Sequence, residues 1–316
     1  MEFGQDKLQI MTKPLLRDAL VALLLGLISV RAAEPLPSLP PPVPGYPIGR
    51  CVKVLGITTP EEAKAIGFEY LELALQDLLP LSDEDFLKTV GRLRAIGLPA
   101  LSGYGFLPAD LKIVGPDVDT ARVEREIRHG LTRARQLGVK MVVHGNLLGK
   151  SRLVPDGFSV EKARAQFTDF ARQAAIEGEK LGITVLIEPL PPATATLINT
   201  VAEGLALVES VGHPNLQLLV EYSIFVKSRE DPSVLRLAGK HIRQVEIQNP
   251  NGWVYPLSTA ESDYASFIRN LRQGGFRGGL SIHGKPTNVF IDGPKAITLL
   301  RSLLAETSTT PFPAIP

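Results

Sequence analysis

The chain has one cysteine, Cys51, and one tryptophan, Trp253, in 316 residues. A single cysteine excludes an internal disulfide and the paired thiolates of a zinc cluster. Charge of one sign is also missing: 34 Lys and Arg against 33 Asp and Glu leave a formal charge of +1. A nucleic-acid backbone selects a clustered basic excess, so no nucleic-acid partner is expected. The remainder, 44% hydrophobic and 21% charged, is ordinary for a folded globular chain long enough to bury a large core.

The ends carry their own signals. Lys13 and Arg17 precede the apolar run 19–28, and Val30–Arg31–Ala32 follows with the small-x-small spacing that signal peptidase reads. That run is shorter than the about 20 residues of a spanning helix. Residues 1–33 are therefore expected to be a secretory signal, with an uncleaved membrane anchor as the alternative. The mature protein is then periplasmic or secreted, with no stable membrane span after cleavage. Residues 34–48 hold seven prolines, which predicts an extended linker over 34–49. The domain is expected over 50–306, with a disordered tail at 307–316.

Between those ends one theme recurs: an amphipathic helical stretch ends in glycine and a short apolar strand follows. The junctions fall at Gly67, Gly97, Gly138, Gly182, Gly212, Gly239 and Gly275. Glycine is the residue expected just past a helix end, where the backbone turns left-handed. The strands are near-continuous in apolar residues, as parallel strands buried on both faces must be. With an opening strand at CVKVLGI, helices at 119–137 and 159–181 and a closing helix at 293–305, the pattern predicts a single (β/α)₈ TIM barrel. A doubly wound sheet would show a Gly-rich phosphate turn after its first strand, and ITTPEEA is not one.

In such a barrel chemistry collects at the carboxyl ends of the strands. There the sequence places Glu72, Ser102, His144, Glu188, Glu221, Glu246 and His283. Carboxylates converging on one point raise one another's pKa unless a cation lies between them. A divalent metal held by Glu188, Glu221, Glu246 and His283 explains the set economically. Each residue also has a plainer reading. Glu188 could pair with a buried arginine, Glu221 could be a solvated strand end, and a one-residue slip would turn Glu246 outward. Glu72 and His144 are weaker candidates for the substrate rim.

At this level the chain resembles the sugar phosphate isomerase/epimerase family of xylose-isomerase-like barrels. The resemblance rests on Leu186–Ile187–Glu188–Pro189–Leu190 followed by Asn199–Thr200, on IRQVEIQNPNGWVYP, and on Asp263–Tyr264 leading to GGFRGGLSI. It implies one divalent ion (Mn²⁺, Mg²⁺, Co²⁺ or Zn²⁺) on strands 5 to 8, at Glu188, Glu221, Glu246 and His283. The family's usual order there is Glu, Asp, His and Glu, so the second position is lengthened and the last two are exchanged. Positions that handle substrate depart further: Ile224, Gln244 and Trp253 replace His, His and Arg, and Pro191 and Pro192 follow the Glu-Pro-Leu turn. The resemblance implies a small carbohydrate substrate and proton abstraction next to a carbonyl, with Glu188 and His283 as the catalytic pair. A keto-glycoside lyase or hydrolase using the same half-reaction is the alternative, with Trp253 suited to stack on a sugar ring. A catalytically silent carbohydrate-binding barrel is the opposing reading, and a homo-oligomer stays open.

Overall fold

The computed structural model describes residues 38–52, 59–145 and 151–309. The expected signal, residues 1–33, and residues 310–316 of the expected tail lie outside them. Eight parallel strands close a barrel in sequence order. They are β1 Ile48–Val52, β2 Tyr70–Ala74, β3 Ala100–Tyr104, β4 Met141–His144, β5 Thr184–Ile187, β6 Leu216–Glu221, β7 Ile242–Ile247 and β8 Gly279–Ile282. The long returning helices are α1 Pro60–Ile66, α3 Asp83–Ile96, α4 Thr120–Leu137, α5 Val160–Leu181, α6 Val201–Val211, α9 Tyr264–Gln273 and α10 Val289–Thr309. Short helices α2 Leu75–Leu78, α7 Tyr222–Ser228 and α8 Ser233–Ala238 sit in the loops between them. No helix among the described residues is long and apolar enough to cross a membrane.

The helices begin and end where local chemistry tells them to. Thr59 and Glu62 form a reciprocal capping box at the start of α1, and Gly67 ends it at φ 100°, a conformation that costs other residues a steric clash. Gly239 departs from the expected pattern. Its φ is −54° and the chain continues into a 3₁₀ turn, Gly239–His241. Glycine is needed there for closeness, because a Cβ would lie 2.6 Å from the backbone of Gly274. β1 starts at Ile48, inside the expected linker, and α10 extends the expected closing helix at both ends.

Strand alternation sorts the side chains into two layers. Leu71, Leu73, Val142, Val185, Ile187, Leu218, Val220, Val245, Ile247, Leu280 and Ile282 join the large core shared with the helices. Their alternates point into the barrel. On one side these are apolar, Val143, Leu186 and Leu219, packed with Tyr104 and Met141. On the other side they are polar: Glu72, Ser102, Gln244, Glu246 and Ser281 are all buried. The Tyr70 ring lies across the floor, close enough to Gly49 and Gly279 that a Cβ at either would meet it within 2.8 Å.

Candidate active site at the carboxyl end of the barrel

Alternation places Glu188, Glu221, Glu246 and His283 on the inward side, at the ends of β5, β6, β7 and β8. Glu221 and Glu246 are register partners across β6 and β7. The Glu246 carboxylate accepts a hydrogen bond from His283 Nδ1 at 2.8 Å. Glu221 does two things at once: it ends β6 and caps α7, accepting from the Ser223 and Ile224 backbone N–H groups at 3.0 and 2.7 Å. Its second oxygen also accepts from the Ser223 hydroxyl at 2.9 Å, and Gln248 Nε2 donates to that hydroxyl at 2.9 Å. Glu188 follows β5 and leans over Gly145, where a Cβ would stand 1.8 Å from its Oε2.

An arginine does accompany Glu188. Arg152, from the segment after β4, is buried and donates through Nη2 to the Glu188 backbone carbonyl at 2.9 Å, while Nη1 has no partner. Nothing periodic marks Arg152 in the sequence; its role follows from tertiary placement alone. Cys51 is a further inward residue that the sequence pattern does not single out. It alternates with Gly49 on β1 and interacts with His283.

Burial pushes the Glu188 carboxyl well above the usual carboxylate range, the charges of Glu246 and Glu221 add to this, and Arg152 and His283 oppose it. Burial also raises Glu221, against the Ser223 N–H that stabilises its anion. For His283, burial works against the charged ring, but Cys51 and Glu246 outweigh it and hold the imidazole well above its ordinary value. Burial pulls the Arg152 guanidinium down to about 10, with Glu188 opposing.

The other candidates fall elsewhere. His144 is out of step with the inward positions: Val143 faces the barrel, and the His144 ring packs on Phe170 and Phe167 of α5 at 4.8 and 5.7 Å and on Phe106 at 6.3 Å. The register of β4 turns it away from the mouth, so it does not join the rim as the sequence suggested. Glu72 faces inward but is fully buried inside the barrel, not at its rim, and neither carboxylate oxygen makes a hydrogen bond. Gln244 is likewise interior, with both amide atoms unpaired. Trp253, in the loop after β7, stays at the rim, 44% exposed and edge-on to His283 at 5.0 Å between ring centroids.

Three carboxylates and one imidazole therefore share the mouth, and Glu188 and Glu221 each feel the charge of Glu246. That donor set fits a divalent cation in chemical type, since a cation would relieve the repulsion. Among the described residues, no three His, Cys, Asp or Glu side chains already stand in coordinating geometry; Glu246 and His283 bond each other, and Glu221 is engaged by α7.

Residues 60–301 match the xylose isomerase-like TIM barrel family. L-ribulose 3-epimerase of Methylomonas sp. (strain DH-1) is 25% identical over 224 residues, covering 68% of this chain and 73% of that protein. A solved L-ribulose 3-epimerase superposes with a TM-score of 0.70 at 19% identity, over 83% of this chain and 96% of that one. D-allulose 3-epimerase from Methylomonas sp., solved with D-allulose bound, gives 0.68 at 20% identity, over 84% and 98%.

Proposed function

Because the chain belongs to the xylose isomerase-like TIM barrel family, we propose that it is a carbohydrate isomerase/epimerase-like enzyme that removes a proton next to a carbonyl with the help of one divalent ion. The observation that carries this reading is the convergence of Glu188, Glu221, Glu246 and His283 at the ends of four consecutive strands. Glu188 is the base. It stands at the inward end of β5 in the same mouth as His283, where a positioned carboxylate can take a proton. The charge of Arg152 beside it favours its anionic form. His283, oriented through Nδ1 by Glu246, is the second group able to hold a proton at the mouth. Glu188, Glu221, Glu246 and His283 would hold the ion, whose chemistry when bound is to polarise the carbonyl and offset the oxyanion that follows proton removal. The substrate on this reading is a small keto-sugar or sugar derivative. The signal-like residues 1–33 support export to the periplasm or medium, which N-terminal sequencing of the secreted chain tests by a start at Ala33 or Glu34.

The test joins two measurements on the purified mature chain. Metal content by mass spectrometry is expected near one divalent ion in the wild type and lost in Glu188→Gln and His283→Ala. In D₂O, the metal-loaded wild type should exchange the carbon-bound proton of a keto-sugar, and Glu188→Gln should slow this about 10²–10⁴-fold. Bound metal without exchange from any keto-sugar would leave a carbohydrate-binding barrel and overturn the enzyme reading.

A further inference from the structure

Among the described residues, three non-glycine residues have positive φ: Ile198, Arg229 and Trp253. The first two have local reasons. Ile198 is buried in the core and Arg229 ends α7 as its left-handed cap. Trp253 has neither, since its φ is 54° while its indole is 44% exposed. A bulky residue held in this region is strained, and persists only when its surroundings fix it.

The surroundings do fix it. Asn249 N–H donates to the Val254 carbonyl at 2.9 Å, and Lys285 N–H donates to the Trp253 carbonyl at 2.9 Å. Gly284 allows this approach, because a Cβ there would lie 2.9 Å from that same carbonyl. The Trp253 loop is therefore tied to the segment that carries His283. The two rings meet edge-on at 5.0 Å, and the Tyr104 ring lies 6.2 Å from His283. The wall runs from a half-buried tyrosine, through the imidazole of the reaction centre, to an indole open to solvent.

We propose that Trp253 is a stacking platform for a second sugar ring, so that the substrate is a glycoside of disaccharide size or larger, not a free monosaccharide. This rests on the reading of the barrel mouth as a carbohydrate site. A ring whose reacting carbon lies beside Glu188 and His283 places its neighbour toward the solvent side of that wall, where the indole is exposed. The C–H face of a pyranose is apolar, and an aromatic face covers it without needing a hydrogen-bond partner. An aromatic body at a wet boundary suits such a contact. A monosaccharide confined to the reaction centre would leave the indole uncovered.

Trp253 is the only tryptophan in the chain, so its emission reports on this surface alone and does not require turnover. Cellobiose, maltose and lactulose are titrated against glucose and fructose while intrinsic fluorescence is followed. A saturable change with at least one disaccharide, at concentrations at least tenfold below any response to the monosaccharides, is expected. Trp253→Gly suits a positive φ, so it is expected to keep the fold. By calorimetry it should lose tenfold or more in affinity for the responding disaccharide. Emission unmoved by every sugar, or moved equally by both sizes, overturns the platform, as does unchanged affinity in Trp253→Gly. Failure of proton exchange with an intact fluorescence response would instead retire the enzyme reading and keep the subsite.

Discussion

Glu72 illustrates what a single residue in this barrel has to withstand. Its carboxyl is fully buried with neither oxygen hydrogen-bonded. Burial pushes its pKa well above the usual carboxylate range, the charge of Glu246 adds to this, and the charge of His283 opposes it. Above the ordinary carboxyl range and up to that raised value, the folded chain keeps a proton that the unfolded chain releases. Stability attributable to Glu72 therefore falls as pH rises through this window. Glu72→Gln removes the titrating group and keeps the shape, so urea unfolding at pH 5 and pH 8 should show a smaller loss with pH than in the wild type. Equal losses in the two proteins would mean that Glu72 is not held protonated in the fold. The sequence showed only a glutamate at a strand end. Its depth depends on how the barrel closes, which no local pattern records.

At the scale of elements, the strand-helix rhythm was legible because each junction carries its own chemistry: an apolar strand, a cap and a glycine. The polar strand ends were legible for the same reason, since an acid following Val, Leu or Ile interrupts an obvious pattern. Facing was harder to read. Val142, Val143 and His144 are consecutive, and a shift of one position decides whether the histidine meets the cavity or α5. Gly239 was misleading too, since glycine serves close backbone approach as readily as a left-handed turn. Glu221 adds a role that only the structure reveals, because its carboxylate caps α7. Glu221→Ala should therefore lower stability by about 1 kcal/mol, within the usual range for a lost cap. The Ser223 and Ile224 N–H groups bond different carboxylate oxygens, so Glu221→Gln keeps an acceptor for only one of them and should lose about half of that. Denaturant unfolding of the two metal-free variants isolates the capping role from the proposed metal binding, which both substitutions would weaken.

The whole molecule shows why a proline-rich run need not be a free tether. Residues 38–47 contain no helix or strand, as the prolines dictate, yet they lie against the barrel. Leu39 and Val43 pack on the main core. The Tyr46 ring is buried beside Phe276, with centroids 6.0 Å apart, under the Arg272 guanidinium at 5.1 Å. Its hydroxyl donates to the Phe276 carbonyl at 3.1 Å, Leu280 N–H donates to the Pro47 carbonyl at 2.9 Å, and Arg301 donates to the Pro40 carbonyl. Proline composition fixes the backbone conformation but says nothing about what that backbone touches. The segment therefore acts as a strap across α9, β8 and α10, beside the β1–β8 seam where the barrel closes. A chain beginning at Ile48 loses a buried aromatic ring and these bonds. Relative to one beginning at Glu34, it should be less stable by about 3–5 kcal/mol, the usual loss for a large core side chain. At about 2–4 °C per kcal/mol for a chain of this order of size, the melting temperature should drop by roughly 10 °C. Tyr46→Ala alone should account for most of the drop. Coincident melting curves for the long and short chains would show instead that the barrel closes unaided and that the strap is a passenger.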